Sequence, residues 1–403
     1  MIKTIIRAPL LSISGYGVHS RQIFKWLNNR SDLELFTQVV QWGDTSWMIN
    51  PEMEGGLVEK IMIRSYVPDF KTDVSFQVQL PDEWDSSLSK FNIGVTALVE
   101  TDKCNPEWIT CINKMDLVIV PSQHAKDTIL NTGSPTTPIE VIPESYLEEI
   151  DNVSNSPLDI DLNTNFNFLV VGQVTGSDPL TDRKNLFSTL KWLCETFKDD
   201  SDVGIILKTN HGRGTKIDRG ITTNKVTQLV KDVRSGEFPK IHLLHGNLNP
   251  SEMASLYIHP SVQCFVSLTR GEGFGLPLLE SAASGIPIIA TNWSGHLDFL
   301  KLGKFIPIQY EMQEIPDSRV DNRIFVKDSR WAQPIEEDFK KKIKKFRNSY
   351  LKPRTWASDL STSIRQNFSQ AAICEKYDSM FQNHVLINFS ARDSSAIAIA
   401  RER

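Results

Sequence analysis

Residues 262–295 read VQCFVSLTRGEGFGLPLLESAASGIPIIATNWSG, and their order of apolar and breaking residues sets the architecture. Val262–Leu268 is a near-continuous apolar run, which predicts a strand covered on both faces, as in parallel sheet. The turn Arg270-Gly-Glu-Gly-Phe-Gly follows it. Pro277 then falls in the first turn of a short helix, where a fixed φ fits and a missing N–H costs nothing. Gly285 stands just past the helix end, where a left-handed residue is wanted. A second apolar strand, Ile286–Ala290, comes next. Strand, turn, helix, strand is the repeating unit of a doubly wound α/β sheet.

The same stretch carries chemistry. Gly271, Gly273 and Gly275 would let a ligand come close to the backbone, and free N–H groups at the helix start face it. Such a terminus attracts phosphate through its free donors and the positive end of the helix dipole. Glu280 is read in the first turn, with its side chain directed back to that end. A carboxylate beside phosphate is repelled unless it accepts hydrogen bonds from neutral hydroxyls, and a ribose carries two. Glu272, eight residues earlier, would reach a sugar beyond the phosphates. The bland reading is a strand–turn–helix with a solvated Glu280; it leaves three glycines and two carboxylates around one helix start unexplained.

Upstream the alternation repeats. Strands are expected at Lys3–Ala8, Leu35–Val40, Val58–Ile63, Val74–Leu80, Ile93–Val99, Leu117–Val120 and Ile139–Ile142. Helices are expected at Val18–Asn29, Pro106–Lys114 and from the N-cap Ser122 to Leu130. The polar, aperiodic stretch 151–165 is the expected linker. Beyond it come strands at Phe166–Val171, Val203–Lys208 and Ile241–Leu244, with helices at Lys184–Phe197, Thr222–Arg234 and Pro250–Tyr257. The expected division is 1–150, 151–350, closing helices over 351–385, and a loosely held tail over 386–403.

The 403 residues suffice for two domains, and 40% hydrophobic residues with nine Trp indicate real cores. A net charge of -5 and a pI near 6.0 give no global bias towards nucleic acid or anionic membrane. Five scattered Cys without a CxxC pair read as reduced thiols. No segment approaches the roughly 18 apolar residues of a membrane helix, so a cytoplasmic protein is expected. The basic run from Lys340 to Arg347 reads as a solvated helix face, with docking at the inner face of a membrane as the lesser reading.

Glu272 through Glu280 resembles the E-x7-E motif of the GT-B retaining glycosyltransferases, in particular glycosyltransferase family four, and the resemblance extends over most of residues 85–383. It implies two Rossmann-like domains facing a cleft, with the last helix crossing back to the N-terminal domain. It also implies a nucleotide-diphosphate sugar donor, with UDP-glucose as first expectation, and a hydroxyl acceptor such as a polysaccharide or lipid-linked glycan. In that family the first Glu contacts donor sugar and the second holds the ribose, and the resemblance implies that Phe274, Gly275 and Leu276 between them offer backbone N–H groups to sugar and phosphate. FLVVGQVTGSDPLTDRKNLF, from residue 168, resembles the family's phosphate-binding region, with Lys184 matching its diphosphate lysine. Gln173 stands where relatives have Arg; Arg183 or Lys208 would then supply the charge. Gly15 and Gly17 match a loop that lies over the donor phosphates. Relatives often place a catalytic His near the strand end at Val99, where this chain has Glu100-Thr101-Asp102.

The catalytic set expected from the resemblance is therefore Glu272 and Lys184, with Glu100 or Asp102 at the ligand side of the sheet; a purely salt-bridged role for the last two is an equal alternative. His19 and His296 are weaker candidates. No cofactor and no metal site are expected, since no plausible Asp-x-Asp is present. Retention without an obvious carboxylate nucleophile fits same-face attack, in which the leaving phosphate takes the acceptor proton. Three other readings stay open at the level of sequence: a sugar phosphorylase, a non-catalytic nucleotide-sugar-binding protein, and a glycosyltransferase for modified DNA bases, which the acidic balance disfavours.

Overall fold

The computed structural model describes residues 1–152, 158–176, 178–234 and 236–389. Residues 153–157 of the expected linker and 390–403 of the expected tail lie outside the described residues. The chain forms two six-stranded parallel sheets flanked by helices, plus one hairpin.

In the N-terminal half the strands are β1 (Ile2–Ala8), β2 (Leu33–Val39), β3 (Thr72–Val78), β4 (Ser89–Val95), β5 (Leu117–Val120) and β6 (Ile139–Val141), in the order β2-β1-β3-β4-β5-β6. Its helices are α1 (Gly15–Asn28), α2 (Met53–Ile63), α3 (Glu107–Ile112) and α4 (Gln123–Thr132). The run Val58–Ile63, expected as a strand from its β-branched apolar content, is the body of α2. Leu57, Val58 and Ile61 are buried while Met62 and Ile63 are exposed, which is helical rather than alternating spacing. Three consecutive left-handed residues, Glu54, Gly55 and Gly56, set the start of that helix.

The second half holds β7 (Phe166–Val171), β8 (Val203–Thr209), β9 (Lys240–His245), β10 (Val262–Ser267), β11 (Ile288–Thr291) and β12 (Ile306–Ile308), ordered β12-β11-β10-β7-β8-β9. This is the 3-2-1-4-5-6 order of a dinucleotide-binding sheet, with its topological switch between β7 and β10. Its helices are α5 (Leu186–Thr196), α6 (Lys216–Val233), α7 (Pro250–Tyr257), α8 (Leu276–Ala283) and α9 (Leu297–Leu300). Helix α6 starts earlier than the apolar pattern suggests, because Thr215 and Asp218 form a reciprocal capping box.

Two features were not expected from sequence. Strand β12 extends the sheet, and β13 (Tyr310–Glu314) pairs antiparallel with β14 (Arg330–Pro334). The loop between β13 and β14 reaches the N-terminal half: Arg323 pairs with Asp82 and Glu83, and Asn105 donates to the carbonyls of Asn322 and Arg323.

Helices α10 (Glu336–Asn348), α11 (Leu351–Phe368) and α12 (Gln370–Met380) close the chain. Three of the six basic residues of α10 are ion-paired, Lys340 with Glu195 and Glu336, Lys342 with Asp338, and Arg347 with Asp200 and Asp202. Helix α11 lies against α8, where Ser361 and Arg365 donate to the carbonyl of Ala283. The end of α11 meets the N-terminal half, where Arg365 pairs with Asp151 and the carbonyl of Phe368 accepts the amide of Tyr146, and α12 packs on α1. There Tyr377 stacks on Trp26 at 5.0 Å and Asp378 accepts from Trp26 and Arg30.

Candidate functional site

The loop between β7 and α5 is shaped by one carboxylate. Asp182 accepts from the amide and hydroxyl of Thr175 with one oxygen and from the amide of Leu186 with the other. Asn185, held left-handed at φ 54, donates to the carbonyl of Leu268. The loop is thereby tied to the end of β10, and the adjacent Arg183 and Lys184 are turned towards Glu272.

Lys184 Nζ donates to both carboxylate oxygens of Glu272, at 2.7 and 2.8 Å. Arg183 lies 3.5 Å from the same carboxylate and 3.2 Å from that of Glu100, and it donates to the carbonyl of Gly271 at 2.9 Å. Two cations and two carboxylates thus meet where the halves touch. Burial alone would push the Glu272 carboxyl up; the charges of Lys184 and Arg183 outweigh it and hold the group at about 2. Burial lowers the Lys184 ammonium, with neighbouring Arg183 adding to the effect. A buried quartet of this kind is strongly disrupted when one member is removed, because its partner is left uncompensated.

The glycines serve a purpose other than the expected one. A Cβ on Gly271 would overlap the carbonyl oxygen of Glu100, and one on Gly273 that of Ala97. These two positions admit the backbone of the N-terminal half rather than a ligand. Ser122, the N-cap of α4, donates to the carbonyl of Gly273 at 2.6 Å and secures the same seam. Gly275 does require its residue type, since it caps α8 at φ 105. Phe274 turns its ring into the core against Phe299 and Phe368, at 5.3 and 6.4 Å. The amides of Phe274, Gly275 and Leu276 have no acceptor among the described residues.

Glu280 is the fifth residue of α8, one position deeper than expected and just past the first turn. It accepts a 2.7 Å hydrogen bond from the hydroxyl of Tyr257 on α7. Burial raises its carboxyl to about 7. It lines a cavity of about 470 Å³ between the halves, together with Arg21, Glu54, Leu248, Met253 and Gln370. Lys184 and Glu272 are not among the walls of that cavity. Glu144 packs nearby without a hydrogen bond; burial, then the charge of Glu280, raise it to about 8.

The remaining expected residues divide. Gly15, at the start of α1, has open space around it, whereas Gly17 packs on the carbonyl of Ser12. Tyr16 between them bonds Thr96 and the amide of Ala97 and so brings the loop to the seam. Asp102 accepts from both the amide and the guanidinium of Arg330, so its carboxylate anchors the hairpin strand β14 rather than pointing at the Lys184–Glu272 pair. Lys208 is buried and donates to the carbonyl of Gly246; it supports the turn before α7 instead of the quartet. His19 is buried against Tyr377. Residues that sequence reasoning missed are Tyr257, Ser122, Ser294 and Glu144. The only signal for them was the helix-capping pattern at Ser122.

The chain has the GT-B fold. Residues 223–317, which include Glu272 and Glu280 but not Lys184, match the family described as Glycosyl transferases group 1. Sucrose-phosphate synthase from Thermosynechococcus elongatus is 14% identical, with a TM-score of 0.62, over 97% of this chain and 100% of that one. HepE from Anabaena, solved with UDP and glucose, is 14% identical with a TM-score of 0.61, over 95% of this chain and 100% of that one. The pneumococcal O-GlcNAc transferase GtfA, solved with UDP and GlcNAc, is 14% identical with a TM-score of 0.50. This chain spans 57% of its length, and 78% of this chain is covered. No curated protein matches in sequence. Among the described residues no helix is long and apolar enough to cross a membrane.

Proposed function

We propose that this protein is a glycosyltransferase that moves a hexose from a nucleotide-diphosphate sugar to a hydroxyl acceptor. The observation that carries the reading is the pairing of Lys184 and Arg183 with Glu272 beside three unpartnered amides at the start of α8, the helix that also carries Glu280 in the cavity wall. Breaking the bond between sugar and diphosphate leaves negative charge on the phosphate oxygens. Lys184, Arg183 and the amides of Phe274–Leu276 are donors fixed in advance for that charge. On donor binding Lys184 exchanges Glu272 for phosphate, and the released carboxylate meets the sugar hydroxyls. Tyr257 occupies one oxygen of Glu280 and leaves the other for ribose.

UDP-glucose is the first donor to test, supported by neighbours of the same fold solved with UDP and UDP-glucose. Transfer proceeds with retention in this reading, as the resemblance of the Glu272–Glu280 segment implies, by same-face attack in which the leaving phosphate takes the acceptor proton while Glu272 holds the sugar hydroxyls. Glu100 serves to hold Arg183 in place. The acceptor, a glycan or a glycolipid, enters from the side of Gly15. Incubation with UDP-glucose and candidate acceptors, read by UDP release, tests the activity. NMR of the product anomer tests its stereochemistry, an inverted product ruling out retention.

A further inference from the structure

Ser294 adopts φ 88, a left-handed conformation that side chains other than glycine's rarely take. It follows Trp293 in the turn between β11 and α9, at neither a surface loop tip nor a helix end. Such strain persists where the surroundings over-determine it, and here they do so through Glu272. The Ser294 hydroxyl accepts the amide hydrogen of Glu272 at 2.9 Å. The next residue, Gly295, donates its own amide to the carbonyl of Glu272 at 3.0 Å. Both backbone groups of Glu272 are therefore held by this turn.

The hydroxyl is itself oriented. Its proton goes to Nδ1 of His296, 3.3 Å away, because His296 Nε2 donates to the carbonyl of Thr291 at 2.8 Å and so fixes the tautomer. His296 is fully buried, and burial keeps it neutral. A continuous chain results: Thr291 carbonyl, His296 ring, Ser294 hydroxyl, Glu272 amide. Glycine at 294 would satisfy the backbone angle at no steric cost but would supply no hydroxyl.

We infer that Ser294, oriented by His296, is a positioning residue that sets the backbone of Glu272 so that its carboxylate meets the donor sugar. This rests on the donor reading of Glu272 given above. It has a consequence that a structural role alone lacks. Replacing Ser294 by glycine relieves the backbone strain yet loosens Glu272, so this variant should be more stable than Ser294→Ala without being more active. Ser294→Ala keeps the strain and also loses the hydroxyl.

The test compares wild type, Ser294→Gly and Ser294→Ala by thermal unfolding alone, with UDP, and with UDP-glucose, alongside kcat for UDP-glucose turnover. The Tm of Ser294→Gly is expected above that of Ser294→Ala, because both lose the hydroxyl and only the alanine keeps the strain. Stabilisation by UDP is expected to be the same in all three. The extra stabilisation that UDP-glucose gives over UDP should vanish in both variants, and kcat should fall about 10- to 100-fold. A variant pair that keeps both the glucosyl increment and kcat within twofold overturns the inference. So does a loss of UDP binding in step with kcat, which marks a merely structural role. A wild type that neither ligand stabilises fails at an earlier point, the nucleotide-sugar reading, and takes this inference with it.

Discussion

Glu280 makes donor binding pH-dependent in a direction the site dictates. Its carboxyl, buried in the cavity wall, is raised to about 7, and Tyr257 already occupies one of its oxygens. Only the ionised form offers the ribose an oxygen able to accept two hydroxyls. With a midpoint near 7, roughly a tenth of the protein is competent at pH 6 and about nine-tenths at pH 8. The apparent affinity should therefore rise about tenfold across that interval, or ~1.4 kcal/mol. UDP-glucose is the ligand to use, because its diphosphate carries no group that titrates there, unlike a terminal phosphate with a pKa of about 6. Calorimetric titration at pH 6, 7 and 8 measures the slope. In Glu280→Gln the affinity should be weaker at pH 8 and flat with pH. A wild-type affinity that does not change, or a slope that survives in Glu280→Gln, refutes the assignment of ionised Glu280 to the ribose.

Further outcomes follow from the same contacts. Lys184→Ala should lower kcat for the donor about 100-fold or more, the scale of losing one charged donor aimed at a leaving group, while nucleotide KM changes less; steady-state kinetics with UDP-glucose checks this. Gly273→Ala should separate the halves, since its methyl would displace the backbone of Ala97; small-angle scattering should show a larger radius of gyration, with activity reduced. Stability should fall as pH drops from about 4.5 towards 2, as Glu272, held at about 2 in the fold, loses its interaction with Lys184 and Arg183. It should also fall as pH rises from about 4.5 to about 7 to 8, the interval in which Glu280 and Glu144 are ionised in the unfolded chain but stay protonated in the fold. Thermal unfolding across pH should thus peak near 4.5, and Glu144→Gln should flatten the alkaline side. Asp102→Asn should lower Tm modestly while leaving donor affinity unchanged, because the mostly buried Asp102 carboxylate accepts the amide and guanidinium of Arg330 rather than facing the donor site; thermal unfolding and calorimetric titration check this.

Much of the fold could be read from local order. Apolar runs of strand length, broken by Gly and Pro at helix ends, located β7, β10, β11 and α8 within a residue or two, because both signals act within a single turn. That Glu272 and Lys184 share one site was implied by the resemblance, although 88 residues separate them; their ion pair was not. Local pattern failed where tertiary partners decide. The run Val58–Ile63 has strand composition, yet its outer residues are exposed and its inner ones pack at helical spacing. The hairpin of β13 and β14 is polar and short, and it is held by Asp102, Arg270 and Arg323, whose partners lie far away in sequence. Gly271 and Gly273 illustrate a subtler failure. Their need for a missing side chain was legible, but what approaches them, backbone of the opposite half rather than ligand, was not. Ser294 left no trace, since a serine in a turn carries no sign of a left-handed backbone.

Crystals grown with UDP-glucose put the central claim to the most direct measurement. The account predicts density for the nucleotide between the halves, with ribose hydroxyls within hydrogen-bonding distance of Glu280. Lys184 should have left Glu272 for a phosphate oxygen, and the glucosyl group should lie against Glu272. A nucleotide bound elsewhere, or bound in the cavity while Lys184 and Glu272 stay paired, would contradict it.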